Sequence, residues 1–204
     1  MIDSLLFHRN RAAPAAQTLA RAGKQGFGAG GYGVVTLHRP SNVDEPEALR
    51  ESLCILRAVS DRLPLVCALH PRTMARIEAF GFSTILDTPR LAVLPPQGYL
   101  EMLGLMAGAT LVLTDSGGMQ EETTALSVPC LTMRENTERP ITVEQGTNTL
   151  VGRDRALILR LADEILAAGG KRGRAPELWD GRAAERIAAH VAGWLATRPV
   201  SIHG

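Results

Sequence analysis

The densest concentration of reactive residue types is Thr114-Asp115-Ser116-Gly117-Gly118-Met119-Gln120-Glu121-Glu122, where an apolar run ends in an acid, a serine and two glycines before a helix-forming stretch. A strand that turns into a helix this way leaves the first helical amides unbonded. Their N–H groups and the positive helix end then face whatever occupies the turn, and glycine admits a bulky anion. A diphosphate is the natural occupant. The competing role for Ser116 is a simple helix cap, with Gly117 and Gly118 relieving crowding. Glu122, one turn further on, can bond sugar hydroxyls or merely favour the N-terminal half of the helix.

Four other places carry comparable chemistry. His38-Arg39 suits an anionic transition state, against the ordinary alternative of a satisfied core histidine. His70 precedes Pro71 and can serve either a ligand or the turn, and Gln97 follows a short apolar run. Arg139 can clamp phosphate through two parallel hydrogen bonds, or pair on the surface with Glu135 or Glu138. Histidines at 8, 38, 70, 190 and 203 form no ligand pair at helical spacing, and no acid cluster completes a shell, so no metal is expected. The glycine run from Gly28 to Gly33 precedes its strand, whereas a dinucleotide fingerprint follows one; no cofactor is implied. Ser116 lacks the elbow motif of a serine hydrolase.

The elements that must position these groups alternate from Gly33 onward. Strands are predicted over 33–38, 64–70, 91–95, 110–114, 129–133 and, at an edge, 148–151. Between them, Asp44-Glu45-Pro46-Glu47 opens a helix continued by Leu49, Leu53, Leu56, Ser60 and Leu63. Met74, Ile77 and Phe80 mark a second, Leu100, Leu103 and Met106 a third, and the stretch after Gly117 a fourth. Helices over 155–167 and 181–195 follow, the latter with Ile187, Val191 and Leu195 on one stripe. The alternation predicts an α/β fold, a Rossmann-like parallel sheet flanked by helices. Residues 1–31 read as an N-terminal helix to about residue 22 plus a glycine-rich linker, and 32–197 as the nucleotide-binding domain with its C-terminal helices. Every polar cluster named above falls just past a strand, along the edge where such sheets bind ligands.

Composition removes other classes. With 22 Lys and Arg against 21 Asp and Glu the net charge is +1, which disfavours a nucleic-acid partner. The 45% apolar content describes a folded domain, and no run approaches membrane-spanning length. Cys54, Cys67 and Cys130 sit in apolar runs like reduced core thiols, and the opening residues lack a cleavable leader, so a cytoplasmic location is expected.

Residues 36–44, 69–71, 96–100, 113–122 and 133–148 closely resemble, in order and spacing, the non-hydrolysing UDP-N-acetylglucosamine 2-epimerases, from about residue 1 to 195. That resemblance implies the UDP-binding C-terminal half of a two-domain glycosyltransferase-B-type fold, working in cell-envelope polysaccharide biosynthesis. It implies that Ser116, Gly117 and Gly118 hold the diphosphate, Glu122 the ribose, and His38 acts catalytically beside the diphosphate. Arg39, His70 and Arg139 would join substrate binding, while Gln97 through Met102 would border the uracil, where the family often has an aromatic. Glycosyltransferases of this fold commonly carry a second glutamate seven residues after the first; Val128 and Pro129 stand there instead.

The family's reaction removes the sugar C2 proton, expels UDP to leave a 2-acetamidoglucal, and re-adds UDP after reprotonation on the other face, interconverting UDP-GlcNAc and UDP-ManNAc. Its acids come from an N-terminal domain, so the chain alone is expected to be inactive. The expected partners are UDP or a UDP-N-acetylhexosamine, that missing domain, and a second copy in a homodimer. Two other readings stand beside this one: a stand-alone nucleotide-sugar binding module without catalysis, and a glycosyltransferase half-domain.

Overall fold

The computed structural model describes residues 1–197, so His203 lies outside the described residues. Six parallel strands form one sheet: β1 Gly33–Thr36, β2 Leu65–Cys67, β3 Leu91–Val93, β4 Leu111–Thr114, β5 Cys130–Thr132 and β6 Asn148–Leu150, in the order β3-β2-β1-β4-β5-β6. Strands β2, β4 and β5 are buried at every position, as a parallel sheet covered on both faces requires. The order reverses between β1 and β4. Thr36 registers with Thr114, so the segments that follow these two strands emerge side by side into the crevice where such folds bind ligands.

The helices are α1 Ile2–His8, α2 Ala15–Arg21, α3 Pro40–Val43, α4 Pro46–Ser60, α5 Pro71–Ala79, α6 Tyr99–Ala107, α7 Gly117–Leu126, α8 Pro140–Glu144, α9 Arg155–Ala168 and α10 Ala183–Ala196. One face of the sheet packs Val35, Leu65 and Leu113 against Leu53 and Leu56 of α4 and Ile158 and Ala162 of α9. The other packs Val34, Val66 and Val112 against Leu5, Leu19, Leu103, Met106 and Met119, from α1, α2, α6 and α7. None of the described helices is long and apolar enough to cross a membrane.

Three expectations need correction. Residues 1–22 are two helices separated by a 3-10 turn at Arg9–Arg11, because Pro14 offers no N–H and pushes Ala13 away from helical geometry. All strands but β4 end earlier than predicted: past Thr36, for example, the amides of His38 and Arg39 turn to the Asp115 carboxylate instead of a neighbouring strand. Helix α10 has the predicted stripe, but Ile187, Val191 and Leu195 are exposed.

The N-terminal layer is locked down by one close approach. Ala13 N–H donates to the Leu100 carbonyl at 3.0 Å, and a methyl group added at Gly104 would lie 1.8 Å from the Ala13 carbonyl oxygen. Backbone cannot yield there as a flexible side chain could. Gly104→Ala is therefore expected to cost about 2–3 kcal/mol, lowering Tm by roughly 5–10 °C for a domain of this size. Thermal unfolding checks it, and a Tm within about 2 °C of the parent would show that α2 and α6 can separate freely.

Candidate functional site

The crevice is built around a buried acid. Asp115 follows the wholly buried β4 strand and is itself fully buried. Its carboxylate accepts from the His38 amide at 3.1 and 3.0 Å, the Arg39 amide at 2.8 Å and Asn42 Nδ2 at 3.1 Å. His38 Nδ1 lies 2.9 Å from Asp115 Oδ1. Burial pushes this carboxyl up, but the hydrogen bonds from the His38 ring, the Arg39 and His38 amides and Asn42 outweigh it and hold Asp115 below the ordinary aspartate value. Asn42 also donates to the Met133 carbonyl at 2.9 Å, so one ionised acid ties together the segments leaving β1, β4 and β5.

Over this hub lies a cleft of about 460 Å³ lined by His38, His70, Gln97, Tyr99, Met102, Ser116, Gly118 and Glu122, among others. Ser116 occupies the N-cap position of α7 yet makes no side-chain capping bond, and its own amide donates to Thr114 Oγ1 at 3.0 Å. The capping alternative is therefore not the role its hydroxyl plays here. Gly117 and Gly118 are the first residues of α7, and a methyl at Gly118 would sit 3.0 Å from Met1 Cε, which overlies the turn.

Glu122 is 8% exposed. Burial raises its carboxyl, a hydrogen bond from Tyr99 opposes that shift, and the neighbouring Glu121 charge adds to it. Tyr99 in turn is pushed up to about 12, by burial first and then by the Glu122 charge and hydrogen bond. Gln97 donates to the Pro95 carbonyl at 2.6 Å, which fixes the loop before α6. His70 caps α5, its Nδ1 accepting from the Arg72 amide at 3.2 Å; it thus serves the turn and also lines the cleft.

The predicted arginines lie elsewhere. Arg39 lines a second, polar cleft of about 520 Å³ with Arg134 and Arg153. There its Nε donates to the Asp115 carbonyl at 3.3 Å and its Nη2 is 3.8 Å from Glu138. Arg134 grips the same glutamate in a fork, at 2.7 and 2.9 Å, and these hydrogen bonds hold Glu138 well below the usual carboxylate range. Arg139 does not line either cleft. Its Nε lies 3.2 Å from Glu121, a different partner from the two its sequence neighbourhood offered.

Two contributions are not read individually from the sequence: Tyr99, which lies within the 97–102 segment but is not singled out there, and Asp115 as a hub. Tyr99 precedes Met102 by three residues and so shares its helix face, a spacing that would have identified it. Asp115 was assigned to the turn alone; an acid directly after four buried strand residues signals a hydrogen-bonded hub. Among the described residues no group of three or more His, Cys, Asp or Glu could hold a metal ion.

The family model for UDP-N-acetylglucosamine 2-epimerase matches residues 1–192. The UDP-N-acetylglucosamine 2-epimerase of Methanocaldococcus jannaschii is 39% identical over 160 residues, covering 76% of this chain and 43% of the relative. A UDP-2,3-diacetamido-2,3-dideoxy-D-glucuronate 2-epimerase of Pseudomonas aeruginosa is 39% identical over 163 residues, covering 79% of this chain and 42% of the relative. The crystal structure of the Methanocaldococcus jannaschii enzyme in complex with UDP-GlcNAc and UDP matches with a TM-score of 0.76 at 34% identity, over 94% of this chain and 52% of that one. The chain spans about half the length of the relatives it matches.

Proposed function

The chain belongs to the UDP-N-acetylglucosamine 2-epimerase family, and from that membership we propose that it is the UDP-binding half of an enzyme interconverting UDP-GlcNAc and UDP-ManNAc. The observation that carries the reading is Ser116: at the head of α7 it makes no capping bond and lines the cleft, beside the unbonded first amides of the helix. Diphosphate at this turn puts the ribose toward Glu122 and the uracil toward Gln97, Tyr99 and Met102. His38 stands beside the departing phosphate. Fixed N–H donors and an imidazole are what a leaving diphosphate needs, since its charge grows as the bond to the sugar breaks.

Both relatives, which are equally identical to this chain, are named for substrates that carry uridine diphosphate. The acids that act on C2, in this reading, come from the part of the enzyme corresponding to the relatives' uncovered half; a homodimer completes the assembly. Free, fully buried thiols at Cys67 and Cys130 support a cytoplasmic setting.

Glu122→Ala tests the ribose assignment. Losing a hydrogen bond to a charged group is worth about 1.5–3 kcal/mol, roughly ten- to hundred-fold in affinity, and both UDP and uridine should weaken by that factor. Arg139, paired with Glu121 away from the cleft lining, acts on the diphosphate only at longer range. Arg139→Ala should therefore weaken UDP about two- to threefold at most, in line with an exposed charge, and leave uridine unchanged. A folded Glu122→Ala protein that binds both ligands like the parent would remove the ribose from this residue.

A further inference from the structure

We infer that a diphosphate entering this cleft brings one proton with it, taken from solvent onto Nε2 of His38, and that Asp115 is the positioning residue that makes this uptake favourable. The inference rests on the cleft being a UDP site. An ionised carboxylate can only accept hydrogen bonds, so the 2.9 Å contact between Asp115 Oδ1 and His38 Nδ1 requires the proton on Nδ1. The neutral ring then leaves a lone pair on Nε2, its opposite edge, for the cleft that His38 lines.

A phosphate oxygen also only accepts, so the neutral ring meets it lone pair to lone pair. Adding a proton at Nε2 turns that contact into a charge-assisted hydrogen bond, with the imidazolium held between Asp115 and the phosphate. The proton is the only species transferred, and its source is water or buffer.

The surrounding side chains do not already supply this charge, and the Met1 amino group, which also lines the cleft, acts on Glu122. His70, whose ring centroid is 6.3 Å from that of His38, accepts the Arg72 amide through Nδ1 and so carries its proton on Nε2 when neutral. It is a donor without any uptake. The Arg39 guanidinium is turned to the Asp115 carbonyl and Glu138, and Arg134 is gripped by Glu138. Glu122, on α7, shares its carboxylate with Tyr99. Glu122, His70 and the Met1 amino group are the other cleft-lining groups that can gain a proton, and a His38 variant separates them from His38.

The test is calorimetric titration with UDP-N-acetylglucosamine, whose diphosphate carries no group titrating near neutrality, in two buffers of different ionisation enthalpy at pH 8, where an ordinary imidazole is neutral. The parent should take up close to one proton, and its affinity should fall about tenfold between pH 7.5 and 8.5. His38→Gln should bind more weakly with no uptake, and Asp115→Asn should lose the uptake. Nitrogen-15 NMR of the unliganded chain should show His38 as the Nδ1–H tautomer that this contact requires, while the loss of uptake in Asp115→Asn is the readout a purely structural Asp115 would not move. Equal heats in the two buffers, uptake that persists in His38→Gln, or an Nε2–H tautomer would each overturn the inference even if Asp115→Asn does not fold. No heat at all would overturn the reading of the cleft itself, and the tautomer would still decide the Asp115–His38 arrangement.

Discussion

A polypeptide of these 204 residues, incubated with UDP-N-acetylglucosamine in heavy water, is expected to incorporate no deuterium at C2 above background. Abstracting that proton needs a carboxylate within hydrogen-bond reach of C2. Among the described residues Glu122 is the one carboxylate lining the cleft, and it is engaged by Tyr99 and assigned to the ribose. Asp115 is fully buried beneath His38. The cleft is also open to water, which forfeits the positioning and desolvation that such a proton transfer draws on, worth several powers of ten in rate. The sign of the prediction reverses when the remaining half is supplied: a polypeptide that includes the segment corresponding to the relatives' uncovered half should exchange C2 readily. Exchange by the 204-residue chain that vanishes in His38→Ala would mean that the base lies in this half.

The second large effect is on stability. Asp115→Ala strips the acceptor from four donors at once: His38 Nδ1, the amides of His38 and Arg39, and Asn42 Nδ2. Breaking a buried, hydrogen-bonded charge cluster costs about 3–5 kcal/mol, a large share of the roughly 5–15 kcal/mol that holds a domain together. Asp115→Asn keeps the shape and one acceptor oxygen and should fall between. The pH dependence has a definite sign. Because the folded-state value is lowered, the stabilisation from this carboxylate is complete above the unfolded value of 3.8 and is lost as pH falls through the lower folded value. The gap between parent and variant in urea unfolding should therefore be widest near neutrality and close in that acid window. A gap below about 1 kcal/mol at pH 7 would show that the four donors find other partners.

How much of this was legible in the sequence follows from range. The six strands and the polar groups beyond them were readable because each motif is contiguous: an apolar run, then His38, His70, Gln97 or Ser116. Helices α3 and α8, of four and five residues, are too short for periodicity to register. Pro14 carries a signal for the break between α1 and α2, but residues 1–22 were read as one helix. The hub at Asp115 was not legible, because its bonds to His38 and Arg39 span 77 and 76 residues and exist only once β1 and β4 are neighbours. The same reason hid the partner of Arg139: Glu121 is eighteen positions away in the chain but adjacent in the fold. Whether Ser116 capped its helix was a question of side-chain geometry, which no spacing rule decides.

The central claim, that the head of α7 and the cleft beside it receive uridine diphosphate, is tested most directly by titrating the 204-residue chain with UDP and with uridine in parallel. The contacts proposed here are all on this chain, but the site is open, so UDP should bind in the range of tens to hundreds of micromolar, roughly −6 to −5 kcal/mol. Uridine, lacking the groups that Ser116, Gly117, Gly118 and His38 are assigned to hold, should bind at least about tenfold more weakly, the loss expected for charge-assisted hydrogen bonds. Equal affinity for the two would remove the diphosphate from the turn. The absence of any heat with UDP up to millimolar concentration would contradict the assignment of the cleft.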